Sequence, residues 1–247
     1  MKKILILLTL IYTLNNLAQN INVLYSSHID LPKKAYLKFY TDKALKHLKE
    51  KKYYQLIKND SVSIFFPLKK GEQYEDIDTT IVSKYQTKIN KVVIDSRIVD
   101  IYYINYPKSK YIRKINLRGE NFDIKDHLPQ LKWHITDSVS RMHSYIIQKA
   151  TTTYHNIPIT AWFTEDIPVS IGPRIFQGLP GLIMKLKMNS LNYEVEKITF
   201  LKKTPPISPP EPKGNYLTAE QFLKTSKSKR HKSRIIKKEC ATCPKSF

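Results

Sequence analysis

The chain has 247 residues, 41% apolar and 26% charged, which suits one ordinary domain with appendages and is too apolar for a wholly disordered protein. Forty-two Lys and Arg against 21 Asp and Glu give a formal net charge of +21, so anionic counterparts are the natural ones. Six glycines exclude collagen-like and glycine-repeat architectures, and two cysteines exclude a disulfide-framed miniprotein.

At the N-terminus, Lys2-Lys3 precede an apolar run from Ile4 to Leu14 and a short polar stretch that ends at Ala18. This order reads as a secretory signal peptide over residues 1–18. The apolar run is 11 residues long, against about 20 needed to cross a bilayer, so a spanning anchor is not expected. The expected location of the mature chain is periplasmic or secreted, after cleavage near Ala18.

Thr41 to Lys52 predicts a short basic helix capped by Asp42, with Ala44, Leu45 and Leu48 at helical spacing. From there the pattern is mostly strand. Tyr53–Ile57 and Ser61–Phe66 flank Asn59-Asp60 as a hairpin. Lys91–Tyr106 and Tyr111–Leu117 predict two strands joined near Pro107-Lys108, with Tyr111, Arg113, Ile115 and Leu117 on one face. Trp133 and Ile135 share a face, Met142–Tyr154 predicts a strand, and Ile157, Ile159, Ala161 and Phe163 alternate with Pro158, Thr160, Trp162 and Thr164. A last hairpin places Leu182, Met184, Leu186 and Met188 on one face, turns over Asn189–Asn192, and returns along Tyr193–Phe200. Loops this short cannot carry parallel crossovers. The expected fold is therefore mainly β: an antiparallel sheet that curls, sandwiches or opens as a barrel, with one or two short helices.

After Phe200 the composition changes. Residues 204–212 hold five of the 14 prolines, and Lys202 to Phe247 carry 12 Lys and Arg against three Glu. This stretch predicts a semi-rigid spacer and a basic tail, mobile apart from a short helix opened by the capping-box pair Thr218 and Gln221. The expected division is a leader at 1–18, a β domain at 19–201, and a tail at 202–247.

The densest signal is Ala161–Met188. Gly172, Gly178 and Gly181 stand within ten residues of one another, interleaved with Pro168, Pro173 and Pro180 and flanked by Phe176, Leu179 and Leu182. Such a stretch predicts a tightly packed corner, because the glycines allow unusual backbone angles and the prolines fix the angles between. Phosphate binding is disfavoured, since a strand rather than a helix N-terminus follows Gly181.

Gly178-Leu179-Pro180-Gly181-Leu182-Ile183 resembles the signature of the GLPGLI family, exported Porphyromonas-type proteins of unknown function from Bacteroidota. Trp133, Gln148-Lys149-Ala150, Ala161–Thr164, Ile167–Ser170 and Gly172-Pro173 fall in the order associated with that family. The resemblance covers about Val23 to Phe200. It implies a cell-envelope address and motif residues Trp162, Gly172, Pro173, Gly178, Leu179, Pro180 and Gly181 as binding candidates. Two departures stand out: Ile147 replaces the family's usual Cys, and Asn156-Ile157 replaces a Gly-Arg pair. The family carries no established reaction.

Catalytic patterns are sparse. His127, His134, His143 and His155 lie near Asp126 and Asp137, but no pair has His-x-x-x-His spacing, so neither a metal nor a cofactor is expected. Glu165 and Asp166 are adjacent and read as a surface turn. Cys240 and Cys243 form a Cys-x-x-Cys without the strand and helix of a thioredoxin-like site, and suit a local disulfide or metal capture. Three function classes stay open. The first is an exported non-catalytic binding or accessory protein of the envelope, the second a periplasmic enzyme with an unlocated site, and the third a basic module that binds anionic surfaces through its tail. An envelope protein or an anionic surface is the expected partner, in preference to nucleic acid.

Overall fold

The computed structural model describes residues 20–30, 46, 49–69, 73–83, 86–95, 99–117 and 120–232. The expected leader, most of the helix expected at Thr41–Lys52, and the pair Cys240 and Cys243 lie outside the described residues. The strands are β1 (Ile21–Ile29), β2 (Lys52–Lys58), β3 (Val62–Pro67), β4 (Gln73–Ser83), β5 (Gln86–Asp95), β6 (Asp100–Asn105) and β7 (Lys110–Leu117). They continue as β8 (Glu120–His127), β9 (His134–Met142), β10 (Tyr145–Tyr154), β11 (Ile157–Thr164), β12 (Leu182–Met188) and β13 (Leu191–Phe200). One helix is described, α1 (Ala219–Lys232).

Eleven strands form one antiparallel sheet in the order β8-β7-β6-β3-β2-β1-β13-β12-β11-β10-β9, while β4 and β5 pair as a separate ribbon. The order resolves into two meanders. β1 to β8 run outward in one direction, β13 back to β9 in the other, and the seam between them is the pairing of β1 with β13. The sheet's two edge strands, β8 and β9, are consecutive in sequence and joined only by Leu128–Trp133. A flat sheet of eleven strands would hold its edges about 48 Å apart, at about 4.8 Å per strand. Seven extended Cα steps reach only about 25 Å. The sheet must therefore curl, and it does so without closing.

The hairpins follow from local sequence. Asn59 accepts the backbone N–H groups of Ser61 and Val62 at 3.0 and 2.9 Å, which fixes the β2–β3 turn. His155 and Asn156, with φ of 49° and 63°, give the β10–β11 connection the two left-handed residues of a tight two-residue turn. The β12–β13 hairpin forms where its sequence predicts, but the simple alternation of Leu182, Met184 and Leu186 does not survive. A bulge lets Trp162 face Lys185 and Phe163 face Ile183, so Met184 becomes the extra residue and Ile183 turns to the same face as Leu186.

The inner face packs around Phe65. Its ring stacks on Tyr54 at 5.1 Å and meets Tyr193 and Tyr25 edge-on at 5.8 and 6.3 Å. The connection between β11 and β12, residues 165–181, folds into this core. Ile167, Ile171, Ile175, Phe176 and Leu179 are all buried. Short backbone bonds crimp it, among them Leu182 N–H to Ile167 O at 3.0 Å and Ile183 N–H to Ile171 O at 2.9 Å.

Beyond β13 the chain crosses to the far edge of the sheet. Leu217 forms a parallel bridge with Ile124 of β8, and Phe222 of α1 joins the core at 7% exposure. The capping box forms as its spacing predicts: Thr218 N–H donates to Gln221 Oε1 at 2.8 Å, and Gln221 N–H to Thr218 Oγ1 at 3.2 Å. The sequence places the end of the domain near Leu201; the structure adds to the core a residue from beyond that point.

A Cβ on Gly181 would overlap the Thr164 carbonyl, whereas Gly214 has nothing within 4 Å of the same position. Gly181→Ala should therefore cost at least about 2 kcal/mol, the scale of forced overpacking, and Gly214→Ala well under 1 kcal/mol. Urea denaturation of the two variants beside the parent measures both.

Candidate functional site

Charge gathers on the inner face where β6, β7 and the 165–181 loop meet. Tyr102 of β6 pairs directly with Arg113 of β7, so Asp100, two residues earlier on the same face, is the diagonal neighbour of Arg113. Arg113 donates from Nε to Asp100 Oδ1 at 2.7 Å and from Nη2 to Oδ2 at 3.2 Å, a bidentate fork. Arg174 arrives from the loop, its backbone at φ 61°, and donates from Nη2 to Asp100 Oδ2 at 2.8 Å and from Nε to the Tyr193 hydroxyl at 3.0 Å. One carboxylate thus binds two guanidiniums.

Aromatic rings frame the cluster. Arg174 Cζ lies 5.7 Å from the ring centres of both Tyr102 and Tyr193. Arg113 Cζ lies 5.0 Å from Tyr102 and 5.3 Å from Phe222, so α1 supplies one wall. Burial by itself would raise the Asp100 pKa, but the charges of Arg113 and Arg174 and the bonds from Arg113 outweigh it and hold the carboxyl below its ordinary range. Burial pushes Tyr102 and Tyr193 upward, so their hydroxyls stay neutral. Both guanidiniums stay protonated: burial opposes their charge, and the Asp100 carboxylate beside them helps restore it.

The neighbouring carboxylates are committed elsewhere. Asp123 accepts the Lys213 N–H at 2.7 Å and lies 3.7 Å from Lys114 Nζ. Lys114 Nζ also donates to the Glu211 carbonyl. Asp126 accepts the Ala219 N–H at 2.9 Å at the start of α1 and the His127 N–H at 2.7 Å. These bonds strap residues 211–219 across β7 and β8.

The motif residues expected from the sequence lie beside this cluster and mostly in packing. Gly172, Pro173, Leu179 and Gly181 are buried, Trp162 is half-buried on β11 between Lys149 and Lys185, and Gly178 and Pro180 are exposed. Gly178 has φ 96°, and its N–H donates to Ser170 Oγ at 2.9 Å. Trp133 Nε1 donates to the neighbouring Gln177 carbonyl at 2.7 Å, tying the β8–β9 link to the loop. His127, His134, His143, His155 and Asp137 are all exposed and scattered over β8, β9 and two turns. Among the described residues no group of three or more His, Cys, Asp or Glu could hold a metal.

Sequence reasoning missed all three charged members of the cluster as a site. One signal was present: Arg113 shares a face with Tyr111 and Ile115, and a guanidinium on an apolar face needs a partner. Asp100 and Arg174 lie 13 and 61 residues from it, with no local spacing to betray them.

A family model described as "Protein of unknown function (Porph_ging)" matches residues 138–185, from β9 through the buried loop into β12. The match falls on the stretch that carries the resemblance read from sequence; the narrower GLPGLI name rests on the hexapeptide Gly178–Ile183. No curated protein matches the chain. Two solved structures of PNGF-II, in space groups C2 and P21, are similar at 16% and 15% identity with TM-scores of 0.47 and 0.49. They cover 76% and 84% of this chain, which spans 29% and 33% of theirs, about a third of their length.

Removing the shared anion while keeping its volume tests the cluster. Asp100→Asn should cost about 3 kcal/mol, because it leaves two buried guanidiniums facing each other. The folded pKa of Asp100 is depressed, so its contribution is present above the unfolded value of about 3.9 and is lost as pH falls through the folded one. Denaturation midpoints at pH 6 and then below pH 4 should converge for parent and Asp100→Asn, with the gap widest at the higher pH.

Proposed function

We propose that the protein is an exported, non-catalytic binding or accessory protein of the cell envelope. The observation that carries this reading is the state of its best-organised polar site. Asp100 is ionised, sealed and forked between two arginines, while the tyrosines around it are held neutral. Fixed charge of this kind recognises; a group that exchanges a proton near neutral pH, as general acid–base chemistry requires, is not supplied there. The sequence pattern of residues 1–18 supports export. No helix among the described residues is long and apolar enough to cross a membrane.

A second reading has an observation of its own. α1 is anchored at its start by Phe222 and the Asp126 cap, and its sequence then carries Lys224, Lys227, Lys229, Arg230 and Lys232. A basic helix held at one end suits an anionic surface, with each cation near that surface contributing about 1 kcal/mol.

Mass spectrometry of protein recovered from the host envelope should find a mature N-terminus near Gln19; an intact Met1 there would refute cleavage. Incubation of the purified chain with a soluble envelope extract should leave the extract's composition unchanged over hours, and a time-dependent product would overturn the non-catalytic reading. For the second reading, the parent should sediment with phosphatidylglycerol vesicles at low salt. A variant with Lys227, Lys229, Arg230 and Lys232 replaced by Gln should lose most of that binding, and equal sedimentation would exclude α1 as the contact.

A further inference from the structure

Two guanidiniums share one carboxylate in the inner-face cluster. Asp123 is paired with Lys114 and accepts the Lys213 backbone N–H, and Asp126 accepts the backbone N–H groups of Ala219 and His127. The tyrosines are neutral and supply no compensating charge. Asp100, Arg113 and Arg174 together carry one excess positive charge in a largely desolvated setting, which a bound anion would offset.

Donor geometry points the same way. Each guanidinium offers five N–H groups. Among the described residues, Arg113 spends Nε and Nη2 on Asp100, and Arg174 spends Nη2 on Asp100 and Nε on Tyr193. The Nη1 groups of both find no acceptor there. Exposure is graded to match: the Asp100 side chain is 5% exposed, whereas those of Arg113 and Arg174 are 18% and 19% exposed. The carboxylate is the more deeply buried member, and part of each arginine side chain reaches solvent. The buried rings of Tyr102 and Tyr193 pack against Arg174, and the Phe222 ring lies against Arg113.

From this arrangement we propose that Arg113 and Arg174 form a binding site for a compact oxyanion, a carboxylate or phosphate group borne by a small organic ligand. The planar donor fork of each arginine matches two oxygens of such a group. Asp100 acts as a positioning residue: it draws the two guanidiniums together and limits their affinity so that the ligand can leave. The proposal deepens the binding-protein reading by naming the ligand chemistry of the same site, and its failure would leave export and the absence of turnover standing.

The test uses thermal melts of the full chain with inorganic phosphate, acetate or benzoate, each against chloride at equal ionic strength. The expected result is a concentration-dependent rise over chloride of about 3 °C at a tenfold excess over the dissociation constant. Phosphate acting alone identifies a phosphomonoester ligand; acetate or benzoate acting alone identifies a carboxylate. Arg174→Gln should abolish the difference. Should that variant not fold, Asp100→Asn decides: with its internal anion removed it should gain more from the same oxyanion than the parent does. A parent that responds to all three anions as it does to chloride would overturn the proposal, and so would a folded Arg174→Gln that keeps the full rise or an Asp100→Asn gain no larger than the parent's.

Discussion

The fork from Arg113 and the single bond from Arg174 to one carboxylate hold the two halves of this molecule against each other. Asp100 and Arg113 belong to the meander that starts at β1; Arg174 belongs to the loop between β11 and β12 of the other. Backbone pairing joins the meanders at the β1–β13 seam, but a seam leaves the curvature of a sheet free. The shared carboxylate pins the loop of one half to the inner face of the other, and Tyr193 of β13 bonds the same guanidinium. Curl, loop and seam thus meet at one ionic knot.

The loop's glycines serve that placement in different ways. Gly178 supplies a backbone angle that side chains avoid, while Gly181 lets the chain pass against the Thr164 carbonyl. Trp133 closes the arrangement from outside by bonding Gln177, so the link between the sheet edges and the buried loop hold one another in place. The left-handed backbone at Arg174 belongs to the same design: a non-glycine residue is held at φ 61° where its side chain makes two hydrogen bonds, to Asp100 and to Tyr193.

Much of the fold was legible in the sequence because alternation is a local property. The β2–β3, β6–β7 and β12–β13 hairpins announce themselves by β-branched and aromatic residues flanking polar turns, and Thr218 with Gln221 announces α1. What stayed hidden is what distance along the chain conceals. β8 carries Glu120, Asp123, Lys125 and Asp126 among its eight residues and drew no strand expectation, yet Asp123 and Asp126 hold the strap over it. β1 contains Ser26 and Ser27, both buried, and its partner β13 carries Glu196 as the extra residue of a bulge opposite Leu24 and Tyr25. The strand order itself follows from no local pattern. The ionic cluster is hidden for the same reason: three residues from two strands and a loop meet only after the sheet has curled.

The seam has a consequence for how the chain comes to be folded. β1 begins at Ile21 and its partner β13 ends at Phe200, so the central pairing of the sheet joins nearly the first described residues to strands made more than 160 residues later. Contacts this remote close slowly, since a long loop must be ordered before any bond rewards it. Until β13 emerges, the β2-bound β1 presents an open edge in what will become the middle of the sheet, and an open edge is a template for other chains. The half-made protein is thus exposed to aggregation for most of its synthesis, and a holding factor that shields β1 until the last strand arrives would act at the point of greatest need.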